Sequence, residues 1–129
     1  MGPQEEIFGS IFSICSKLKQ TYNYLPGIEA KTPFIYVGEQ FSRDQANKMA
    51  VFGSVDQTIH FYNDRRNRGD LTRLMGQVVR ELRSLKRTKS YSLTILSLDQ
   101  QILYDNVGTS KLLHGIIEVR MHFSYIERG

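Results

Sequence analysis

The chain has 129 residues, the usual size of one domain, and its hydrophobic and charged fractions of 40% and 23% are those of a globular protein. One cysteine, Cys15, excludes an intramolecular disulfide and a thiolate zinc site, and no apolar run reaches the ~18–20 residues of a membrane helix. The acidic start at Glu5-Glu6 is unlike a secretory signal, so we expect an intracellular, reduced protein without membrane contact.

The net charge of +4 comes from one segment of the chain. Residues 65–89 hold nine Lys or Arg and two acids, a net charge of +7, whereas residues 1–64 and 90–129 have net charges of −2 and −1. Three interpretations stay open: a solvated helix face with its loop, a nucleic-acid contact, or a protein interface in which arginines pair with acids of a neighbouring subunit.

The first half of the chain contains one predicted helix and one short predicted strand. Apolar residues spaced by three and four predict a helix from Glu5 to about Asn23, and residues 34–37 predict a strand. Residues 39–50 are polar without a clear period, and we expect an exposed loop there, of a length that is often functional. Residues 1–4 are expected to be flexible or a tag remnant.

The second half contains the strongest patterns. Val51–Tyr62 alternates as a half-buried strand, with an exposed loop expected over residues 63–69. Asp70 as an N-cap and a leucine-rich stripe predict a helix to about Lys86, in which Gly76 would mark a close packing contact. Strands are predicted over residues 91–104, with a kink at 99–100, and over 112–125.

This order predicts one α+β domain over residues 1–129, with a mostly antiparallel four-stranded sheet and two main helices packed on one face. In the last strand Ile117, Val119, Met121 and Phe123 alternate with polar residues, which indicates one buried and one wet face.

The sequence contains no recognisable catalytic or metal-binding motif, so we expect neither an enzyme nor a bound cofactor or metal. His60 and His122 alternate with apolar residues and are expected on the wet sides of their strands. His114 is the third histidine, and Cys15 is expected to be a buried thiol. Interaction with neighbouring subunits or partners is instead assigned to residues of the 39–50 stretch and the basic segment: Glu39, Arg43, Asp44, Lys48, Arg65, Arg66, Arg68, Arg73 and Arg80.

The pattern over roughly residues 5–125 resembles the tail completion, or tail terminator, proteins of long-tailed bacteriophages. After the N-terminal amphipathic helix, the segments that carry the resemblance are Leu25-Pro26-Gly27-Ile28, the strand from Pro33 to Glu39, the strand from Gly53 to Tyr62 before a polar loop and helix, and the closing strand from Gly115 to Phe123.

The resemblance implies a structural protein without enzymatic activity, located in the virion after assembly in the cytoplasm of the bacterial host. It implies a hexameric ring that caps the tail tube protein and meets the head-connector or stopper protein, with DNA contacted only in transit through the lumen. A stopper or tube subunit is the nearest alternative, followed by a small basic nucleic-acid-binding domain; a small enzyme ranks last.

Overall fold

The computed structural model describes residues 2–27, 29–46, 51–107 and 110–126. The elements in chain order are α1 (Pro3–Leu18), β1 (Thr21–Tyr22), β2 (Phe34–Ala46), β3 (Val51–Asp64), α2 (Arg68–Ser84), β4 (Tyr91–Val107) and β5 (Ser110–Tyr125). Within these ranges the strands form one sheet in the order β1-β2-β3-β5-β4. The α+β class is confirmed. The four-stranded antiparallel prediction is wrong, because β1 adds a fifth strand parallel to β2 and makes the sheet mixed.

One face of the sheet, the covered face, packs against both helices. Ile59 and Phe61 of β3 and Ile117 of β5 are fully buried there, against Ile7 of α1 and Leu71 of α2. These are residues that the strand alternation and the helix periodicity assign to the interior. Each such side chain contributes roughly 1.5–3 kcal/mol by leaving water. The opposite face, which we call the open face, has no helix over it in the described part of the chain.

Helix α1 is shorter than predicted at one end and longer at the other. It starts at Pro3, where the fixed backbone angle of proline suits the first helical position, and Pro3 is buried. Residues 3 and 4, expected to be flexible or a tag remnant, thus belong to the first turn of α1. The helix ends at Leu18, and the β-branched Thr21 and the aromatic Tyr22 form the short strand β1 instead of a last helical turn.

Glu6 fixes α1 to the connection between α2 and β4. Its Oε1 accepts hydrogen bonds from Thr88 Oγ1 at 2.8 Å and from the backbone N–H of Ser90 at 2.9 Å. Burial alone would raise the pKa of Glu6, but these hydrogen bonds outweigh it and hold the pKa below its usual range. This acidic residue of the first turn of α1 is thus a buried tertiary contact.

Helix α2 begins at Arg68 with Asn67 as its N-cap, so the assignment of Asp70 as the cap is wrong. Asp70 lies in the first turn and bonds Arg73. Gly76 is exposed with no atom within 4 Å of a Cβ built on it, which contradicts the expected close contact. A glycine that does allow close packing against α2 is Gly115 of β5, where a Cβ would lie 2.5 Å from Met75 Sδ.

The exposed loop predicted over residues 39–50 is wrong for 39–46, which belong to β2; residues 47–50 lie outside the described residues. This part of β2 cannot be predicted from an apolar pattern, because most of its side chains are polar. Backbone pairing with β3 holds it, from Ala46↔Val51 to Gln40↔Gln57. The loop predicted over 63–69 is reduced to residues 65–67, since β3 runs to Asp64 and α2 starts at Arg68.

Two β-bulges interrupt the pairing. Gly38 and Glu39 together stand opposite Thr58, between the pairs Val37↔Ile59 and Gln40↔Gln57. Leu96 is the extra residue of β4, between Ile95↔Met121 and Ser97↔Arg120. The kink predicted at residues 99–100 is therefore wrong, and β4 is continuous with its irregularity three residues earlier.

Gln57 fills the space behind the first bulge. It is almost completely buried on the covered face, and its Nε2 donates to the carbonyl oxygens of Gly38 and Glu39, each at 3.1 Å. Its Oε1 accepts from Gln40 Nε2 at 3.2 Å. The amide thus satisfies carbonyls that the shifted register leaves without ladder partners, and it fixes the position of Glu39.

Cys15 is buried in α1, and burial raises the pKa of its thiol to about 12. The expectation of a buried thiol is confirmed by this placement. Among the described residues, no helix has the length and apolar character needed to cross a membrane.

Candidate interface at one end of the sheet

Arg65 and Arg66 are displayed by a well-bonded turn between β3 and α2. Asp64 Oδ1 accepts from the backbone N–H of Arg66 at 2.9 Å and from its Nε at 3.0 Å. The Asp64 carbonyl accepts from the N–H of Asn67 at 2.9 Å. The hydrogen bonds from Arg66 lower the pKa of Asp64, which stays ionised near neutral pH. The turn therefore holds the exposed Arg66 in a defined place, with the exposed Arg65 beside it.

These arginines lie at the edge of an open cleft of about 740 Å³. The cleft, called the cationic cleft below, is formed by the β1–β2 connection, the start of β2, the end of β3, the β3–α2 turn and the β4–β5 hairpin. Its lining residues are Leu25, Pro26, Gly27, Ala30, Thr32, Phe34, Tyr62, Asp64, Arg65, Arg66, Asp105, Lys111 and Leu112. Arg65, Arg66 and Lys111 also surround a smaller adjoining hollow together with Tyr104.

The floor of the cationic cleft is aromatic. Phe34 and Tyr62 face each other across β2 and β3, with stacked rings whose centroids are 5.1 Å apart. His114 of β5 stacks on the other side of Tyr62 at 4.3 Å. Burial, with smaller effects of Asp105 and Glu39, raises the pKa of Tyr62 to about 12, so its phenol stays neutral.

The rim of the cationic cleft combines cations with large exposed apolar groups. Leu25 is 60% exposed and Tyr104 is 70% exposed, at the two sides of the three basic residues. Arginine and tyrosine are enriched in protein interfaces, because both offer a large contact area together with directional hydrogen bonding. The arrangement can bind an acidic or aromatic segment of a partner by charge pairing at the rim and apolar contact inside.

The nine sequence-assigned interface residues do not form one patch. Arg65 and Arg66 lie at the cationic cleft. Arg68, Arg73 and Arg80 are exposed on α2. The members from the 39–50 stretch lie in β2, where Glu39 is at the bulge and Arg43 and Asp44 are exposed nearer the far end; Lys48 lies outside the described residues.

Arg43 belongs to an ion-pair cluster on the open face, away from the cleft. Arg120 of β5 binds Asp56 of β3 with two hydrogen bonds of 2.7 and 3.0 Å. Arg43 lies 3.4 Å from the same carboxylate and stacks over Phe41 at 4.4 Å. The hydrogen bond from Arg120 lowers the pKa of Asp56. Arg43 is thus a member of an intrachain cluster, although its side chain remains half exposed.

Several residues of the cleft escape the sequence patterns. Leu25, Tyr62, Asp105 and Lys111 come from four separate segments, and only the sheet order β2-β3-β5-β4 brings them together. One usable signal exists in the sequence: Lys111 is one of only three basic residues in 90–129, and it precedes the alternating pattern of the last strand. Within the described ranges, no three His, Cys, Asp or Glu side chains are arranged to hold a metal ion.

Comparison with known proteins gives a fold match without a sequence match. No protein-family model and no curated protein match the sequence. Among solved structures, a chain of the "Virion of native gene transfer agent (GTA) particle" is similar over 95% of this chain and 94% of that chain, with a TM-score of 0.63 and 12% sequence identity. At this identity the similarity shows a shared fold.

Proposed function

We propose that the protein is a structural subunit of a phage-like virion, and that it acts as a tail completion protein between the tail tube and the head connector. The supporting observation is the similarity of nearly the whole chain to a chain of a gene transfer agent virion. The sequence patterns independently resemble tail completion proteins. In this proposal the chain has no catalytic role, and it assembles as a hexameric ring in the virion.

The cationic cleft is the proposed contact with a neighbouring subunit or the tail tube. A closed ring requires two different, complementary surfaces on each subunit. The cleft, at one end of the open face, offers three cations and exposed apolar side chains beside the acids Asp64 and Asp105. The middle of the open face carries the acids Asp99 and Glu118, which are directly opposite each other in β4 and β5. Opposite charges on separate surfaces favour association of copies and steer their encounter.

The test combines solution mass with electron microscopy. The wild-type chain is mixed with tail tubes from a phage defective in tail completion, and the mixture is imaged and weighed by native mass spectrometry. We expect rings of six copies bound at tube ends. A monomer that leaves the tubes unmodified at micromolar concentration would contradict the proposed role.

A pair of matched variants locates the contact. The variant Arg65→Glu/Arg66→Glu reverses two charges at the cationic cleft, and Arg80→Glu/Arg83→Glu reverses two charges on α2. We expect the first variant to lose ring or tube binding by at least about tenfold, because two opposed charges are each placed against the partner. The second should retain it. The reverse result would move the contact to α2, and both variants should melt close to the wild type.

A gel-shift series distinguishes the nucleic-acid alternative. A phosphate-binding domain that makes several contacts loses affinity steeply between low and moderate salt. We expect only weak DNA binding, equal for both double variants. Tight binding that Arg80→Glu/Arg83→Glu abolishes would support the nucleic-acid-binding domain instead.

A further inference from the structure

Four polar side chains form a continuous hydrogen-bonded row across the open face, one from each long strand. Glu39 of β2 contacts His60 of β3 at 2.7 Å between Oε1 and Nε2. His60 Nδ1 lies 2.8 Å from His114 Nε2 of β5. His114 Nδ1 lies 2.8 Å from Asp105 Oδ2 of β4. The central nitrogen–nitrogen contact joins the β2–β3 pair to the β4–β5 pair.

Proton counting restricts the charge of this row. Each imidazole has two ring nitrogens, and a neutral imidazole carries one proton. If each neutral histidine donated its single N–H to its own carboxylate, the two remaining ring nitrogens would face each other with lone pairs across 2.8 Å. With both carboxylates ionised, all three contacts are hydrogen bonds only when three protons occupy the four ring nitrogens. The histidine pair then carries one positive charge between two carboxylates.

The two rings are sheltered from solvent on both sides. The His60 and His114 side chains are 12% and 11% exposed, and they stack on Tyr36 and Tyr62 respectively. The carboxylates at the two ends are more exposed. The titratable groups that face the rings are Tyr36 and Glu39 from β2, Tyr62 from β3 and Asp105 from β4, with Glu118 of β5 further along the same face.

We propose that Glu39, His60, His114 and Asp105 form a proton-binding clamp that holds the two strand pairs together at the cationic cleft while it contains one shared proton. Loss of that proton leaves two lone pairs in contact. A second proton places two N–H groups against each other. Either change breaks the central contact, whereas each histidine keeps the hydrogen bond to its own carboxylate. The row is then divided beside the cationic cleft, which Asp105 lines.

The electrostatics of His114 act against a second positive charge on the histidine pair. Burial, which is the largest influence, and the neighbouring His60 lower the pKa of His114, although Asp105 acts in the opposite direction. His114 therefore favours the neutral state at neutral pH. For Glu39, the hydrogen bond from His60 lowers the pKa, so this end of the row stays ionised.

Linkage gives the expected pH dependence of stability. The folded pair binds one proton more than two neutral imidazoles carry. In the unfolded chain, two free histidines of pKa about 6.5 together bind more than one such added proton below that pH and fewer than one above it. Stability from the clamp is therefore highest near pH 6.5. It falls as the pH rises, because the unfolded chain then binds fewer protons than the folded chain. It also falls as the pH drops, because the unfolded chain then binds more.

The direct test observes the imidazole nitrogens of the full-length wild-type chain by ¹⁵N NMR between pH 5 and 9. We expect one slowly exchanging N–H proton shared between His60 Nδ1 and His114 Nε2 at pH 7, with one added charge on the pair. Two neutral rings at pH 7, each with a single proton directed to its carboxylate, would overturn the clamp. This measurement uses the wild-type chain alone, so it does not depend on whether any variant folds.

The second test compares melting temperature against pH for matched variants. His60→Gln and His114→Gln should each lose the maximum near pH 6.5. His122→Gln should keep it, because His122 lies on the same face but packs near Phe52, outside the row. A His60→Gln profile with the same maximum as the wild type would contradict the clamp even if the variant is less stable at every pH.

Discussion

The two faces of the sheet are stabilised in different ways. On the covered face, fully buried aliphatic side chains such as Ile59 and Ile117 contact the helices. On the open face, charged and aromatic side chains pair across strands, as in the two hydrogen bonds between Asp56 and Arg120. Burial against α1 and α2 therefore supplies most of the stability, while the open face determines which polar surface the protein presents.

The largest loss of stability is expected on substitution of Gln57, a buried polar side chain of the covered face. Gln57→Leu conserves approximate volume but leaves the carbonyls of Gly38 and Glu39 without a donor. We expect a loss of about 2–4 kcal/mol in the free energy of unfolding, because buried unsatisfied groups each cost about 1–3 kcal/mol. Urea denaturation measures it.

The control for this variant is Gln101→Leu, the same substitution at an exposed position of β4 on the open face. It should change stability by less than about 0.5 kcal/mol, as surface substitutions usually do. Equal losses for the two variants would show that the covered face does not depend on the Gln57 amide.

The next effect tests the buried carboxylate of α1. Glu6→Gln replaces a charged acceptor of two hydrogen bonds by a neutral one, and we expect a loss of about 1–2 kcal/mol at pH 7. Because the folded-state pKa of Glu6 is lowered, this stability is present above the unfolded-state pKa of 4.5 and is lost as the pH falls through the folded-state value.

Glu5→Gln is the matched control, since Glu5 is exposed in the same helical turn. Thermal melts at pH 7 and pH 3 should show a large difference between the two variants at pH 7 and a smaller one at pH 3. A difference that stays constant with pH would assign the effect of Glu6→Gln to packing instead of charge.

A gain in stability is expected on the outer surface of α2. Gly76→Ala should stabilise the protein by about 0.5–1 kcal/mol, because alanine restricts the unfolded chain and its Cβ meets no atom within 4 Å. Gly115→Ala should do the opposite, since its Cβ would meet Met75 Sδ. Chemical denaturation of both variants measures these changes. A destabilised Gly76→Ala would indicate a contact on that surface.

The smallest effect concerns the open face. Asp99 and Glu118 are directly opposite each other, and like charges in that position are unfavourable. Asp99→Asn should therefore raise stability by about 0.2–0.5 kcal/mol at low salt. The gain should shrink in 1 M salt, where screening is strong. A loss of stability at low salt would mean that Asp99 has a favourable contact.

The sequence is informative about the covered face because its patterns are periodic. Val55, Ile59 and Phe61 alternate in β3, and Leu71, Leu74 and Val78 follow the helical repeat of α2, so burial of all six could be predicted. The polar half of β2 could not be predicted in this way. Its pairing with β3 is made by backbone groups. Its side chains do not alternate between apolar and polar, so the sequence shows no strand pattern there.

The open face depends on register, which sequence periodicity does not determine. Alternation places His60 and His122 on the face opposite the helices, and the pairing confirms that face. The expected exposure to solvent is wrong for His60, whose side chain is only 12% exposed. It does not reveal that His60 meets His114, 54 positions away, under the cover of Tyr36 and Tyr62. The arginines of residues 65–89 likewise do not form one surface. Some lie in the β3–α2 turn and others in α2, and these two elements direct them to different surfaces.

Strand β4 is the outer strand of the sheet at the end opposite β1, and a 17-residue outer strand offers a long row of backbone groups to any other chain. The bulge at Leu96 bends this row, and Asp99 and Asp105 add negative charge along it. Bulges and charges are the means by which proteins prevent uncontrolled strand addition. The outer edge of the sheet is thereby protected against the addition of further strands from other chains.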